Sequence, residues 1–241
     1  MQSGETPKFF GRRKGRTIRK AKQSLTDKFL PKIRVGVENM PNLLGCFCFK
    51  PEKIMLEIGF GDGQHLAGQA KLHPRDAFLG VEVFQNGIAN LLSLLTGVKE
   101  GNNLPENFVL EEGRSDNVRV FDDDVRLLFS HIPDETFDKI FVLFPDPWPK
   151  KKHAPRRFIN PQNLDSLSRI LKKGGILRVA TDHPIYKPWA LRQLCARDDF
   201  KWTAKCSNDW RLPPTDHVET KYQKKAIAEG RRPVFFDFMK I

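Results

Sequence analysis

Apolar positions along this chain switch between two patterns. Short continuous apolar runs alternate with stretches in which apolar side chains recur every three or four residues. Runs at Ile54–Ile58, Phe78–Val83, Lys139–Phe144 and Ile176–Ala180 predict strands buried on both faces. Phe108–Leu110 and Val118–Phe121 predict short extended segments, and Val234–Phe238 predicts a closing strand. The helical period predicts helices over Gln64–Leu72, Gly87–Leu95, Asn160–Leu171 and Tyr186–Cys195. Val125–Phe129 starts another that Pro133 must follow rather than continue, and Gly174-Gly175 reads as the stop of the Asn160–Leu171 helix. Strand–helix alternation of this kind predicts an α/β protein with a mostly parallel central sheet and helices on both faces. Upstream, Lys22–Ile33 predicts a helix with Leu25, Phe29, Leu30 and Ile33 on one face, and Pro41–Pro51 reads as a connector. Residues 1–20 have no apolar periodicity and read as disordered in isolation. The expected organisation is a basic extension at 1–34 and a single domain at 35–241.

Charge adds a partner to this picture. The 241 residues carry 41 Lys and Arg against 29 Asp and Glu, a net +12. The segment 1–34 holds eleven basic and two acidic side chains, so it supplies +9 of that excess. Such a tail points to nucleic acid or an anionic membrane surface. No apolar run approaches the roughly 18 residues of a spanning helix, and no apolar segment follows the N-terminal charges as in a secretory signal. A mitochondrial transit peptide shares the tail's basic, acid-poor character. Cys46, Cys48, Cys195 and Cys206 show no disulfide framework, and Cys46-Phe47-Cys48 lacks a second metal-ligand pair, which fits a reducing cytoplasm. The six histidines show no metal-binding spacing, so no metal is expected.

Phe144-Pro145-Asp146-Pro147-Trp148-Pro149-Lys150 follows the strand at Lys139–Phe144. Each proline fixes its own φ and pushes the preceding residue toward an extended backbone. Asp146 is therefore expected to stand rigidly at the mouth of the sheet, where open α/β folds bind ligands. Five cations then fall within Lys150–Arg157, with no anion. A clamped acid beside a basic strip suits a small reaction on a polyanion.

The second chemical element is Leu56-Glu57-Ile58-Gly59-Phe60-Gly61-Asp62-Gly63, at the end of the first strand. Glycines there let the backbone approach a ligand closely. Glu82 ends the next strand and is placed to accept the hydroxyls of an adenosine ribose. The spacing is G-x-G-x-G rather than the dinucleotide G-x-G-x-x-G, and Glu57 would repel a pyrophosphate. An acid-rich pocket suits S-adenosylmethionine, which is cationic and carries no phosphate. Asp124 is a further adenine-binding position, with Asp122 and Asp123 competing for the role.

These residues resemble the bacterial type of tRNA (guanine-N7-)-methyltransferase from about Phe10 to Phe238. The landmarks are G-R-R at Gly11, L-E-I-G-F-G-D-G at Leu56, G-V-E-V at Gly80, F-P-D-P-W-P-K at Phe144, R-R-F at Arg156, L-K-K-G-G at Leu171, A-T-D at Ala180 and T-K-Y-Q at Thr220. The resemblance implies a Rossmann-like class I methyltransferase fold. It implies methyl transfer from S-adenosylmethionine to N7 of a guanine in tRNA, at position 46 of the variable loop. It implies Glu57, Gly59, Gly61, Glu82, Asp124 and Asp146 as cofactor contacts, with Asp146 also at the reaction centre. Lys150, Asp182, Thr220, Lys221, Tyr222 and Gln223 are implied as substrate contacts, and Lys152, His153, Arg156 and Arg157 as RNA contacts. The implied partner is tRNA; the residues themselves lead to the expectation of no membrane, no metal and a cytoplasmic location, and leave monomer and homodimer both open. Gln223 departs from the family's usual glutamate and brings no charge. Asp182 also reads as an N-cap for a helix at Ile185–Leu194. Trp148, Trp210 and Tyr222 are stacking platforms for exposed bases or core aromatics. The competing classes are an NAD-dependent oxidoreductase and a non-catalytic RNA-binding module. The first would change nicotinamide absorbance, and the second would not bind S-adenosylmethionine.

Overall fold

Seven strands form one sheet in the order β3-β2-β1-β4-β5-β7-β6, seen in a computed structural model that describes residues 8–98 and 116–241. The strands are β1 (Ile54–Ile58), β2 (Ala77–Val81), β3 (Val118–Phe121), β4 (Phe137–Leu143), β5 (Leu171–Thr181), β6 (Phe200–Trp202) and β7 (Val234–Lys240). The first five are parallel, while β7 runs antiparallel to both β5 and β6. The extended segment expected at Phe108–Leu110 lies outside the described residues.

Period-2 alternation divides the core into two layers. Ile54, Leu56 and Ile58 of β1 join Ile140, Val142, Leu177 and Val179 on one face. There they meet α5 (Pro161–Ile170) and α6 (Tyr186–Cys195) through Leu164, Leu167 and Tyr186. Met55, Phe78, Phe141 and Phe235 point the other way. They meet α1 (Lys20–Lys28), α3 (Gln64–Leu72) and α4 (Gln85–Thr96) through Leu25, Leu66, Leu91 and Leu92. Each such aliphatic or aromatic side chain contributes about 1.5–3 kcal/mol by leaving water. Glu57, Lys139, Arg178 and Asp237 have the parity of this second face, so that layer also buries charge. Arg178 is paired with Asp237 at 2.7 Å and Asp216 at 2.6 Å, and Lys139 with Asp216 at 2.5 Å. Burial raises the Asp216 carboxyl, but the bonds from Lys139 and Arg178 outweigh it and hold the group well below the usual range.

Several elements differ from expectation. The helix at Lys22–Ile33 is two pieces, α1 and a single turn α2 (Leu30–Ile33), joined at Phe29, because Pro31 cannot donate a helical bond. Pro41–Pro51 is not a bare connector: residues Val37–Cys46 wind as 3-10 turns that bury Met40 and Leu43. Val125–Leu127 and Phe129–His131 are likewise 3-10 turns, not an α-helix. The glycine pair does not stop a helix. α5 ends at Ile170 and runs directly into β5, and Gly174 (φ 76°) and Gly175 sit where the pairing with β4 slips. A side chain at Gly175 would lie 2.8 Å from the Lys172 carbonyl. Three short elements were not expected, β6, α7 (Asn208–Arg211) and α8 (Lys221–Ala228).

Candidate active site

Strand order reverses between β1 and β4, and their C-terminal ends open a crevice where such sheets bind ligands. A cavity of about 440 Å³ occupies this position. The glycine loop after β1, Glu82 after β2, Asp123 and Asp124 after β3, and Asp146 after β4 all line it. Arg12, Arg126, Arg156 and Arg157 line it as well, and Asp124 and Asp123 are paired with Arg126 and Arg13. Among the described residues, Glu82 and Asp146 are therefore the lining acids with no arginine partner to offer a cationic ligand. Gly59 and Gly61 have φ of 71° and 56°, a left-handed backbone that a side chain would strain. A Cβ at Gly61 would also meet the Tyr222 ring at 3.0 Å.

Glu82 is buried and accepts three backbone N–H bonds, from Gly61 at 2.7 Å, Val83 at 2.8 Å and Phe84 at 2.9 Å. These fix its orientation and leave about one of four lone-pair directions open to a ligand. Burial pushes its pKa up despite those bonds. Asp124 is buried too, and its carboxylate is gripped by Arg126 at 2.5–3.1 Å. Asp123 pairs with Arg13 at 2.7 Å, and Asp122 pairs with Arg34 at 2.8 Å away from the cavity lining. Of the three acids, Asp123 and Asp124 reach the cavity.

Asp146 stands exposed at the cavity mouth, yet the surrounding walls crowd it enough to raise its pKa. The clamp on it differs from expectation. Phe144 and Trp148 precede prolines but are not extended; their φ values are 51° and 42°. A left-handed bulky residue is strained and persists only where its surroundings force it. Here the Phe144 N–H donates to the Ala180 carbonyl at 2.8 Å. Arg157 donates to the carbonyls of Pro147 and Trp148, each at 3.1 Å. Arg156 packs over the rings of Trp148 and Phe10.

Residues 51–235 match a family described as putative methyltransferase. A tRNA (guanine-N(7)-)-methyltransferase from Paramagnetospirillum magneticum is 44% identical over 239 residues, covering 97% of this chain and 93% of the relative. One from Rhodospirillum rubrum is 39% identical over 239 residues, covering 97% and 88%. The chain belongs to the tRNA (guanine-N7-)-methyltransferase family. Its fold is the Rossmann-like class I methyltransferase fold. An antibiotic-related methyltransferase superposes with a TM-score of 0.55 at 14% identity, covering 86% of this chain and 95% of the other. A 16S rRNA (adenine(1408)-N(1))-methyltransferase from Catenulisporales acidiphilia, solved with cosubstrate SAM, gives 0.52 at 15% identity, covering 86% and 92%.

Not every residue that the methyltransferase resemblance implied meets in the cavity. Gly59, Gly61, Glu82, Asp124, Asp146, Arg156, Arg157 and Tyr222 line it. Glu57 does not; it borders a smaller cavity behind the glycine loop with Thr220, Lys221 and Tyr222, and its carboxylate accepts a bond from His65. Thr220 caps α8, accepting the Gln223 N–H at 3.1 Å. Lys221 is paired with Asp62 at 3.0 Å, and its N–H donates to Gln64 at 2.7 Å. Gln223 is buried, with its amide turned to His217. Asp182 lines neither cavity and caps no helix, because its carboxylate is taken by Arg231. Lys150 and Lys152 are exposed, and His153 packs its ring edge on Trp148. Arg157, expected as an RNA contact, is only 5% exposed: it holds the Asp146 loop and stacks on Trp189.

Sequence reading missed the arm. Phe9, Phe10 and Arg12 wall the main cavity. The arm is not free chain: the Gln85 N–H donates to the Arg13 carbonyl, Asn86 bonds Gly15 and Arg16, and Arg126 donates to the Lys8 carbonyl. These links join residues far apart in sequence and leave no local periodicity to find. Among the described residues no helix is long and apolar enough to cross a membrane, and no group of His, Cys, Asp or Glu is arranged to hold a metal ion.

Proposed function

We propose that this protein transfers the methyl group of S-adenosylmethionine to N7 of a guanine in tRNA, at position 46 of the variable loop. The observation that carries the reading is the cavity at the sheet's reversal point, bordered by the glycine loop, Glu82 and Asp146 and opening beside exposed cations of the arm and the Lys150–Arg156 strip. The full-length relationship to tRNA (guanine-N(7)-)-methyltransferases supports it. The test is methyl transfer from labelled cofactor to bulk tRNA, followed by nucleoside analysis. Label in N7-methylguanosine is expected; label in another nucleoside, or none, overturns the reading.

The cavity fits the cofactor in size and charge, since ligand sites run about 300–1,000 Å³. S-adenosylmethionine supplies a methyl group on a cationic sulfur. Glu82 is placed to accept ribose hydroxyls, and Asp124 or Asp123 the adenine amino group. Asp124 must loosen its grip on Arg126 to do so. Glu57 contributes from beneath the loop, through His65. Guanine N7 carries a lone pair and no proton, so no general base is needed. Asp146 therefore acts by holding the base edge and facing the charge that the purine gains. Tyr222 covers the wall between the two cavities. Lys150, Asp182 and the Thr220–Gln223 segment frame the substrate, with Asp182 and Gln223 acting through their present partners.

Two predictions follow from these roles. Glu82→Ala loses charge-assisted bonds worth about 1.5–3 kcal/mol each, so cofactor affinity measured by calorimetry should fall by at least roughly tenfold. Ionised Glu82 is the acceptor, so affinity should also weaken as pH falls through its raised pKa, and Glu82→Gln should remove that dependence. Unchanged affinity would place the ribose elsewhere.

The exposed cations Lys14, Arg16, Lys151 and Lys152 are the phosphate contacts that the arrangement offers, with Arg156 at the cavity and His153 against Trp148. Neutralising those four should weaken tRNA binding and flatten its salt dependence by about one unit of slope per lost contact. Cofactor affinity should hold. An unaltered slope would show that these cations do not touch RNA.

A further inference from the structure

Four polar side chains form a line beneath the glycine loop, beside the Lys139–Asp216–Arg178–Asp237 ion pairs of the same layer. Glu57 of β1 accepts a 2.8 Å bond from Nδ1 of His65 in α3. The His65 ring lies 5.3 Å from the His217 ring, tilted by 34°. His217 Nε2 donates to the Gln223 amide oxygen at 2.5 Å. Gln223 is in the first turn of α8 and is 3% exposed. Phe141 and Phe235 press their rings against the two imidazoles, each at 4.8 Å.

Two features separate this line from ordinary packing. His65 Nε2 and His217 Nδ1 are buried and make no hydrogen bond. Unpaired buried nitrogens are unfavourable, and apolar side chains would fill the same space without them. The two hydrogen bonds that are made point away from the imidazole pair, one to Glu57 on the strand under the cofactor loop and one to Gln223 in the first turn of α8. That turn carries Tyr222 against Gly61 and Lys221 against Asp62. His217 stays neutral as a donor. Burial, His65 and Arg178 push its pKa down to about 4, against the opposing pull of the Gln223 bond and Asp216.

We propose that His217, backed by His65 and Glu57, is a positioning residue that sets α8 through Gln223, holding Tyr222 at the wall shared by the two cavities. This rests on the tRNA methyltransferase reading. In consequence Gln223 acts on the reaction through the orientation of α8, not by touching the base.

The test compares full-length parent, His217→Ala and His217→Gln; the last retains an N–H donor toward the Gln223 oxygen. Single-turnover methyl transfer is measured at saturating tRNA and cofactor, with cofactor Kd, Tm and hydrogen exchange across 59–63 and 220–228. His217→Ala should lower the saturated rate by roughly tenfold to a hundredfold, the effect of misplacing a group near the chemistry. Cofactor Kd should move far less. Exchange should speed up in 220–228 with the rest of the sheet still protected, and His217→Gln should restore most of the rate. Unchanged exchange in 220–228 in a folded His217→Ala protein would overturn the proposal, whatever its activity. So would equal rate losses in both variants that track their loss of Tm. A parent inactive on tRNA would overturn the methyltransferase reading instead, and the exchange result alone would then decide the role of His217.

Discussion

Asp146→Ala should lower single-turnover methyl transfer to tRNA by roughly 10²–10³-fold, the usual loss when a group facing transition-state charge is removed. The fold should survive, because the carboxylate is exposed at the cavity mouth and the loop is held by other atoms, namely Arg157 to the carbonyls of Pro147 and Trp148. Tm should accordingly change little. Asp146→Asn keeps the shape and loses the charge, so it separates the two contributions and should also be severely slowed. The pH dependence has a definite sign. The walls of the cavity raise the Asp146 pKa above the ordinary aspartate value of 3.8, and the ionised form is the active one. The rate should climb with pH through that raised value, and the acid limb should be absent in Asp146→Asn. Near-parental turnover in a folded Asp146→Ala protein would remove this residue from the reaction centre.

The strands that build this site were legible because each is largely buried on both faces and reads as a mostly apolar run, interrupted by charged residues such as Glu57 and Arg178. Ile54–Ile58 matches its predicted bounds, Ile176–Ala180 lies within the longer β5, and Lys139–Phe144 overlaps β4 but runs one residue past its end. The glycine loop and the Phe144–Lys150 motif were legible for a different reason. Tight turns and clamped acids require particular residue types at fixed offsets, whatever the rest of the fold does.

What was not legible depends on contacts between distant segments. α8 is written Lys-Tyr-Gln-Lys-Lys-Ala-Ile-Ala, too polar to announce a buried face, and only Gln223 and Ala226 are buried. Its position comes from Gln64, Asp62 and His217, which lie outside the helix. The left-handed backbone at Phe144 and Trp148 opposes the local preference before proline, and tertiary bonds prevail there. The arm reads as disordered alone, yet Asn86 and Gln85 at the start of α4 pin it. Charge had a similar ambiguity. Lys152 and Arg157 are alike in a count of cations, but one is exposed and the other buried.

That difference makes Arg157→Ala the second large effect. The substitution removes a buried guanidinium that makes two bonds to loop carbonyls and stacks 4.5 Å from the Trp189 ring centre. Bonds to charged groups contribute about 1.5–3 kcal/mol each, and a desolvated cation–π contact about 2. Some of this offsets the cost of burying the cation, so the expected net loss of stability is about 2–4 kcal/mol. The catalytic effect should be larger than a stability loss alone would give. Without Arg157, the carbonyls at Pro147 and Trp148 lose their donors and the strained Trp148 can relax, shifting Asp146. A shift of about 1 Å costs on the order of 10²-fold in rate. The salt dependence of tRNA binding should keep the parental slope, since no phosphate contact is lost. Arg157→Lys should rescue poorly, because an ammonium lacks the planar fork that spans two carbonyls and stacks on an indole. Denaturant melts, single-turnover rates and salt titrations on the same preparations decide between the roles. A stable, active Arg157→Ala protein with a flattened salt slope would return this residue to the RNA-contact surface.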